Sequence, residues 1–248
     1  MKKLLSLLSI ITTTGTILPM VIANKPYVIT VYDNIKLKTN ESKIVINGKN
    51  DMFTASGIVL NNKIYFGSTN NGRVYEYDPQ TQESKIVIKA ETSQWKPRAE
   101  FKSPGVVLKN KLYFTSYNGR VYEYDPQTQK IVITAKRFSD KFYNSSVVLN
   151  NKIYAQTTGI NPDIYEYDPI TGQQQKITIG ENWKWDYITS LNNKLYIIMN
   201  DKGEVYEYDS ATQEQRLFFK SKEYITSKIV ILNNKVYFQA GALENAHI

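Results

Sequence analysis

The side chains in this sequence with the means to do chemistry come as a repeating set. Glu76 and Asp78, Glu123 and Asp125, Glu166 and Asp168, and Glu207 and Asp209 stand two residues apart in four copies of one phrase, Tyr-Glu-Tyr-Asp. A lysine precedes each copy: Lys63, Lys111, Lys152 or Lys194, in a second phrase of the form Asn-Lys-apolar-Tyr. Two carboxylates about 5–10 Å apart can cleave a glycosidic bond, one as acid and one as nucleophile or base. Such a pair must converge on one bond, whereas equivalent acids of a repeat are spread one to each unit. The expected roles are therefore structural. The aspartates cap turns, and the glutamates pair across strands with the lysines, at about 0.2–1 kcal/mol for each pair.

Other chemistries find less material. The single histidine, His247, is next to the last residue, and there is no cysteine. A Ser-His-Asp or Cys-His arrangement has nothing to build on, no acidic run has the spacing of a calcium loop, and neither a metal nor a cofactor is expected. A sialidase-like Tyr/Glu/Arg site would need inward-facing arginines that the repeats do not supply. Binding is expected in place of catalysis, with a glycan-processing enzyme as the remaining catalytic alternative.

The elements that carry these residues read as short strands. Gly57-Ile58-Val59-Leu60 is an apolar strand, and Asn61-Asn62 is a tight hairpin turn, since asparagine tolerates positive φ. Lys63 to Gly67 returns, Asn70-Asn71-Gly72 turns again, and Arg73 to Asp78 is a third strand. Asp78-Pro79 opens the next turn. Ser84 to Ile88 is a fourth strand, whose Lys85 suits an outer edge. The lysines at 63, 111, 152, 194 and 235 mark the period, with steps of 48, 41, 42 and 41. Four short antiparallel strands at that spacing predict a propeller blade. The N-terminal strands Tyr27–Tyr32 and Ser42–Ile46 match the last two strands of a unit, and residues 228–238 match the first two. The expected fold is all-β: a five-bladed β-propeller of four-stranded antiparallel blades, closed by pairing the N-terminal strands with the C-terminal strands in one shared blade. The alternative is that these units belong to a larger ring completed by a second chain.

Composition and address narrow the class. Of 248 residues, 19 are tyrosine, most of them in the repeated strands, where an aromatic ring fits a pleated surface. Lys2 and Lys3, an apolar stretch from Leu4 to Ile11, and Val21-Ile22-Ala23 predict a signal peptide over 1–23 with cleavage after Ala23, leaving 24–248 as a single domain. An uncleaved anchor is the alternative, although the strongly apolar core is short for a span of about 20 residues. The chain carries a net charge of +8. An exported basic protein favours acidic glycans or lipid head groups over nucleic acid, with membrane contact at most peripheral. Lys and Asn enrichment that reflects an AT-rich genome is the competing explanation of the charge. The expected setting is secreted, or on the outer surface of a bacterium, as a monomer.

Lys63-Ile64-Tyr65-Phe66-Gly67-Ser68, followed by Asn71-Gly72-Arg73-Val74-Tyr75-Glu76-Tyr77-Asp78-Pro79-Gln80-Thr81, resembles the repeats of PQQ-type (quinoprotein-like) propellers. The Val-Tyr-x-Tyr-Asp-Pro phrase is also similar to kelch-type repeats. The resemblance covers residues 57–240 and implies the propeller fold. It leaves function open, because these families host enzymes, assembly factors and binding proteins. Only Thr171-Gly172 keeps the glycine that PQQ-type repeats carry after the threonine. The blade-ending tryptophan and the kelch Gly-Gly pair are missing, and both families usually have more blades. The adjacent cysteines and calcium carboxylates of quinoprotein enzymes have no counterpart, so no cofactor is carried over.

The loops that lead into each blade differ from the turns. They are long and varied, and they set aromatics beside cations: Trp95, Lys96, Arg98 and Phe101; Lys136, Arg137, Phe138 and Tyr143; Trp183, Lys184, Trp185 and Tyr187; and Tyr224. All three tryptophans fall here. Aromatic rings with arginine and lysine make a binding surface for a protein or an acidic glycan on a cell surface. The alternative is that some rings plug the centre or pack between blades. The expected function is an exported, non-catalytic recognition protein, suited to adhesion. An envelope assembly scaffold that holds peptide segments by strand addition is the second reading.

Overall fold

The computed structural model describes residues 8–11, 17–23, 28–31, 43–48, 50–90, 100–133, 141–158, 163–177, 187–225, 230–232 and 235–239. Among the described residues there are five four-stranded antiparallel sheets, and the four built from the repeats follow one another along the chain. The first holds β5 (Ile58–Leu60), β6 (Lys63–Gly67), β7 (Arg73–Asp78) and β8 (Glu83–Lys89). The second holds β9 (Val106–Leu108), β10 (Lys111–Ser116), β11 (Arg120–Asp125) and β12 (Lys130–Ile133). The third holds β13 (Lys141–Leu149), β14 (Lys152–Thr158), β15 (Ile164–Tyr167) and β16 (Gln174–Ile177), and the fourth β17 (Tyr187–Leu191), β18 (Lys194–Met199), β19 (Glu204–Asp209) and β20 (Gln215–Lys220). Each pairs its strands in sequence order, as a blade does.

The turn chemistry makes the repeats alike. Asn61 and Asn62 have φ of 51° and 60°, and Asn150, Asn151, Asn192 and Asn193 lie within a few degrees of them. Two successive left-handed residues make the hairpin turn whose twist matches the flanking strands. Across β6 and β7, Tyr65 stands opposite Glu76, and Tyr113 opposite Glu123, Tyr154 opposite Glu166 and Tyr196 opposite Glu207 repeat the pair.

Burial follows strand position. The second and third strands are mostly buried, while β12 and β20, both fourth strands, are exposed along their whole length. The core lies between successive sheets. Leu60, Tyr65, Val74 and Ile88 of the first pack against Leu112, Phe114, Tyr122 and Tyr124 of the second. Val106 and Tyr113 of the second meet Ile153 and Tyr165 of the third, and Tyr154 and Ile164 of the third meet Leu195 and Ile197 of the fourth. Sheets stacked face to face in chain order are a β-propeller-like arrangement.

The ends depart from the expectation. β1 (Leu8–Ile11), β2 (Ile17–Ala23), β3 (Val28–Val31) and β4 (Lys43–Asn47) form one sheet, and β21 (Val230–Leu232) with β22 (Lys235–Tyr237) form a separate two-stranded sheet. The expected shared blade needs β3 beside β22, but β3 pairs with β2. The reason is local. β2 is apolar, only four residues precede β3 after it ends, and a nearby strand meets an edge at a small loss of chain entropy.

Candidate functional site

The repeated acids sit at the end of each blade that carries the asparagine turns. Glu76 is 4% exposed and accepts hydrogen bonds from Lys63 Nζ at 2.8 Å and the Tyr65 hydroxyl at 3.1 Å, with Lys85 Nζ at 3.4 Å. Glu207 accepts from Lys194 at 2.7 Å, the Tyr196 hydroxyl at 3.0 Å and Arg216 at 2.9 Å. Glu166 accepts from Lys152 at 2.5 Å and the Tyr154 hydroxyl at 2.6 Å, and Glu123 from Lys111 at 2.5 Å. The strand register positions these groups, since a tyrosine and a glutamate directly opposite one another share a face of the sheet.

Burial pushes the Glu76 carboxyl up, but hydrogen bonds from Lys63 and Tyr65 outweigh it and hold the group below the ordinary glutamate value. Glu207 follows the same balance, with Lys194, Arg216 and Tyr196 as the donors. The Tyr196 hydroxyl is pushed up to about 12, first by burial and then by its bond to Glu207. Glu76 and Glu207, each held ionised by donors from its own blade, act as blade fasteners.

The aspartates cap turns, as expected. The Oδ1 atoms of Asp78, Asp125, Asp168 and Asp209 each accept from the backbone N–H two residues on, at 2.8–2.9 Å. Open hollows lie beside these groups: about 400 Å³ bounded by Lys63, Glu76, Asp78 and Lys85, and about 710 Å³ bounded by Lys194, Glu207, Asp209 and Arg216. These bounding residues are already paired with one another within a blade. Among the described residues, no three His, Asp or Glu side chains converge in a way that could hold a metal ion.

The opposite end of each blade carries the loops. Ala90 N–H donates to Gly72 O at 2.8 Å and Phe101 N–H to Ser68 O at 2.9 Å, so the residues on both sides of 91–99 are fastened to one turn of the first blade. Ser221 N–H and Ile225 N–H bind Gly203 O and Asn200 O in the same way in the fourth. Trp95, Lys96, Arg98, Lys136, Arg137, Phe138, Trp183, Lys184 and Trp185 lie outside the described residues. Tyr143 lies within β13. Tyr187 opens β17, half-buried against the cluster of Tyr196, Ile198 and Val205, and Tyr224 is 52% exposed. Tyr187 and Tyr224 both stand at the loop end of the fourth blade.

Phe101 is a correction. Its ring was expected on the binding surface, but it is 0% exposed, with centroids 5.8 Å from Phe114 and 5.3 Å from Tyr122. Its closeness explains Gly67, where a Cβ would fall 2.5 Å from Phe101 Cβ. The position repeats. Phe53, Phe101, Phe142 and Ile225 each stand seven residues before the leucine that ends a first strand, and all four are buried. That fixed spacing was the available signal, hidden because the loops before it differ in length.

Two loop-end features lay outside the sequence reading. Asp51 is buried and accepts from the Tyr75 hydroxyl at 2.5 Å, from Arg73 at 3.4 Å and from Asn71. Lys102 Nζ lies 4.1 Å from the centre of the Tyr117 ring and 2.8 Å from Glu100. The pair sets a cation over an aromatic ring at the loop end of the second blade.

No family model matches the chain, and no curated protein matches it in sequence. Solved structures do match in fold. BamB from Moraxella catarrhalis, a β-propeller, is similar with a TM-score of 0.66 at 15% identity, over 90% of this chain and 66% of that one. The computationally designed Ika8 protein is similar with a TM-score of 0.64 at 14% identity, over 90% of this chain and 64% of that one. The chain thus spans about two thirds of the length of the structures it matches, and the likeness is one of β-propeller-like fold.

Proposed function

We propose that the protein is an exported five-bladed β-propeller, closed by a blade shared between residues 24–47 and 228–240, that binds a protein or an acidic glycan on a cell surface through its loop end. It performs no chemistry of its own. The observation that carries this reading is the division of labour between the two ends of a blade. At the turn end the charged residues of the repeat are tied to one another, Glu76 to Lys63 and Tyr65 and Glu207 to Lys194, Tyr196 and Arg216. At the loop end, the residues bracketing 91–99 are fastened to the first blade, and the segments that begin and end there hold every tryptophan of the chain. Segments that carry Trp95, Trp183 and Trp185 close in sequence to Lys96, Arg98 and Lys184 suit an anionic partner with flat apolar faces, such as a sulfated or sialylated sugar.

The test is binding of the full chain to immobilised sulfated and sialylated glycans. A variant carrying Trp95→Ala and Trp185→Ala is expected to bind at least tenfold more weakly with an unchanged melting temperature. Unchanged affinity in a folded variant contradicts the reading.

An envelope assembly scaffold is the second reading, and the outer strands favour it. Ile131, Val132 and Ile133 of β12 and Leu217, Phe218 and Phe219 of β20 are all exposed. A partner strand could add to such an edge by main-chain hydrogen bonds while covering these side chains. The fold shared with BamB agrees with it.

A further inference from the structure

The registers at the two chain ends identify two halves of one blade. Val230, Ile231 and Leu232 of β21 face Tyr237, Val236 and Lys235 of β22, as Ile58, Val59 and Leu60 face Tyr65, Ile64 and Lys63 in the first blade. β21 and β22 are therefore an inner pair. Between β3 and β4, Ile29 faces Ile46, a bulge follows, and then Thr30 faces Ile44 and Val31 faces Lys43. The outer pair of the first blade has the same bulge at the same place: Val74 faces Ile88, then Tyr75 faces Ile86 and Glu76 faces Lys85. The outer pair of the fourth blade repeats it, with Val205 opposite Phe219 and Tyr206 opposite Leu217. β3 and β4 are an outer pair.

The inner pair is already seated. Phe238 lies 5.0 Å from Phe219 between ring centres and packs on the cluster of Tyr196, Ile198 and Val205. Among the described residues, its second strand pairs only with β21. Tyr237 is 48% exposed, whereas Tyr65, Tyr113, Tyr154 and Tyr196 at the same blade position are all buried under a third strand. Transferring the register of β6 and β7 sets Tyr237 opposite Val31, Phe238 opposite Thr30 and Gln239 opposite Ile29. Those three residues of β3 are taken by Met20, Val21 and Ile22 of β2.

We propose that β2 and β22 compete for one edge of β3, and that residues 17–23 hold the edge until they are removed, whereupon β22 takes their place and closes the ring. The proposal rests on the five-bladed ring of the preceding section. While attached, β2 has the advantage of proximity, since four residues separate it from β3 and about two hundred separate β3 from β22. Once it is cut off, that advantage is gone. The segment that the sequence marks for removal at Ala23 then acts as a strand-shaped plug, which keeps a β edge covered before the ring forms.

The chain has no cysteine, so engineered pairs report without background. The full chain would carry a specific protease site inserted between Ala23 and Asn24. One version has Met20→Cys with Val31→Cys, and the other has Val31→Cys with Tyr237→Cys. Before cutting, oxidation is expected to give the 20–31 crosslink and little of the 31–237 crosslink. After cutting, the 31–237 crosslink within one chain should rise at least tenfold and the 20–31 crosslink should fall. Equal 31–237 crosslinking before and after cutting overturns the exchange while leaving the ring intact, and an undiminished 20–31 crosslink after cutting overturns it too. No 31–237 crosslink in either state overturns the ring itself. A 31–237 crosslink formed only between chains overturns closure within one molecule.

Discussion

The Tyr65 hydroxyl donates to Glu76 at 3.1 Å across β6 and β7, and Tyr154 and Tyr196 make the same bond to Glu166 and Glu207 in the third and fourth blades. A lysine on the same strand as the tyrosine completes each node. Replacing Glu76 with alanine removes the acceptor for Lys63 and Tyr65 and leaves a buried hydroxyl unsatisfied. The expected loss of stability is about 1–3 kcal/mol, and about 0.5–1.5 kcal/mol for Tyr65→Phe, which deletes one bond without orphaning a donor on the tyrosine side. Urea unfolding of both variants measures this. Wild-type stability for Glu76→Ala would show that the node holds nothing together.

The same nodes set the pH range of the fold. Glu76 and Glu207 are held below the ordinary value of 4.5, so their contribution is fully present above that value and is lost as pH falls through the lowered ones. Tyr196 is raised from 10.0 to about 12, so its contribution is fully present below pH 10.0 and is lost as pH rises toward 12. Melting temperatures should form a plateau between these limits and fall on both sides. A fall that begins near pH 7 would point to other groups.

Lys109 has φ of 50° in the hairpin turn of the second blade, where the other three complete blades place Asn61, Asn150 and Asn192 at 49–51°. Asparagine tolerates this left-handed region better than lysine does. Lys109→Asn is expected to stabilise the chain by about 0.5–1 kcal/mol, on the scale of compatible turn substitutions. A destabilised variant in thermal unfolding would mean that the Lys109 side chain makes a contact outweighing its backbone strain.

Phe101 and Tyr224 separate core from surface at the loop end. Phe101→Ala empties a buried site between two blades and should cost about 3–5 kcal/mol. Tyr224→Ala, at an exposed position, should change stability by no more than about 0.5 kcal/mol. Denaturant midpoints of the two variants decide it. Equal effects would contradict the assignment of Phe101 as an inter-blade anchor.

Much of the blade was legible from sequence because its signals are local. The Asn-Asn turns, the Asp-Pro caps and the alternation around Tyr-Glu-Tyr-Asp each require only neighbouring residues, and the strands they predict over 63–67 and 73–78 match β6 and β7 residue for residue. The fate of Phe101 was not legible. Beside Lys102 and close to Trp95 it reads as one more loop aromatic, and only packing against Phe114 and Tyr122, contributed by the next blade, gives it a buried place. The partner of β3 was not legible either, because two segments of suitable apolar character exist and sequence pattern does not weigh a near strand against a distant one.

The most direct test of loop-end binding is hydrogen exchange on the full chain, with and without a saturating sulfated glycan. Protection is predicted in peptides covering 91–99, 134–140 and 178–186, with β12 and β20 unchanged. Protection confined to residues 130–133 and 215–220 would contradict the account and place the partner on the outer strands.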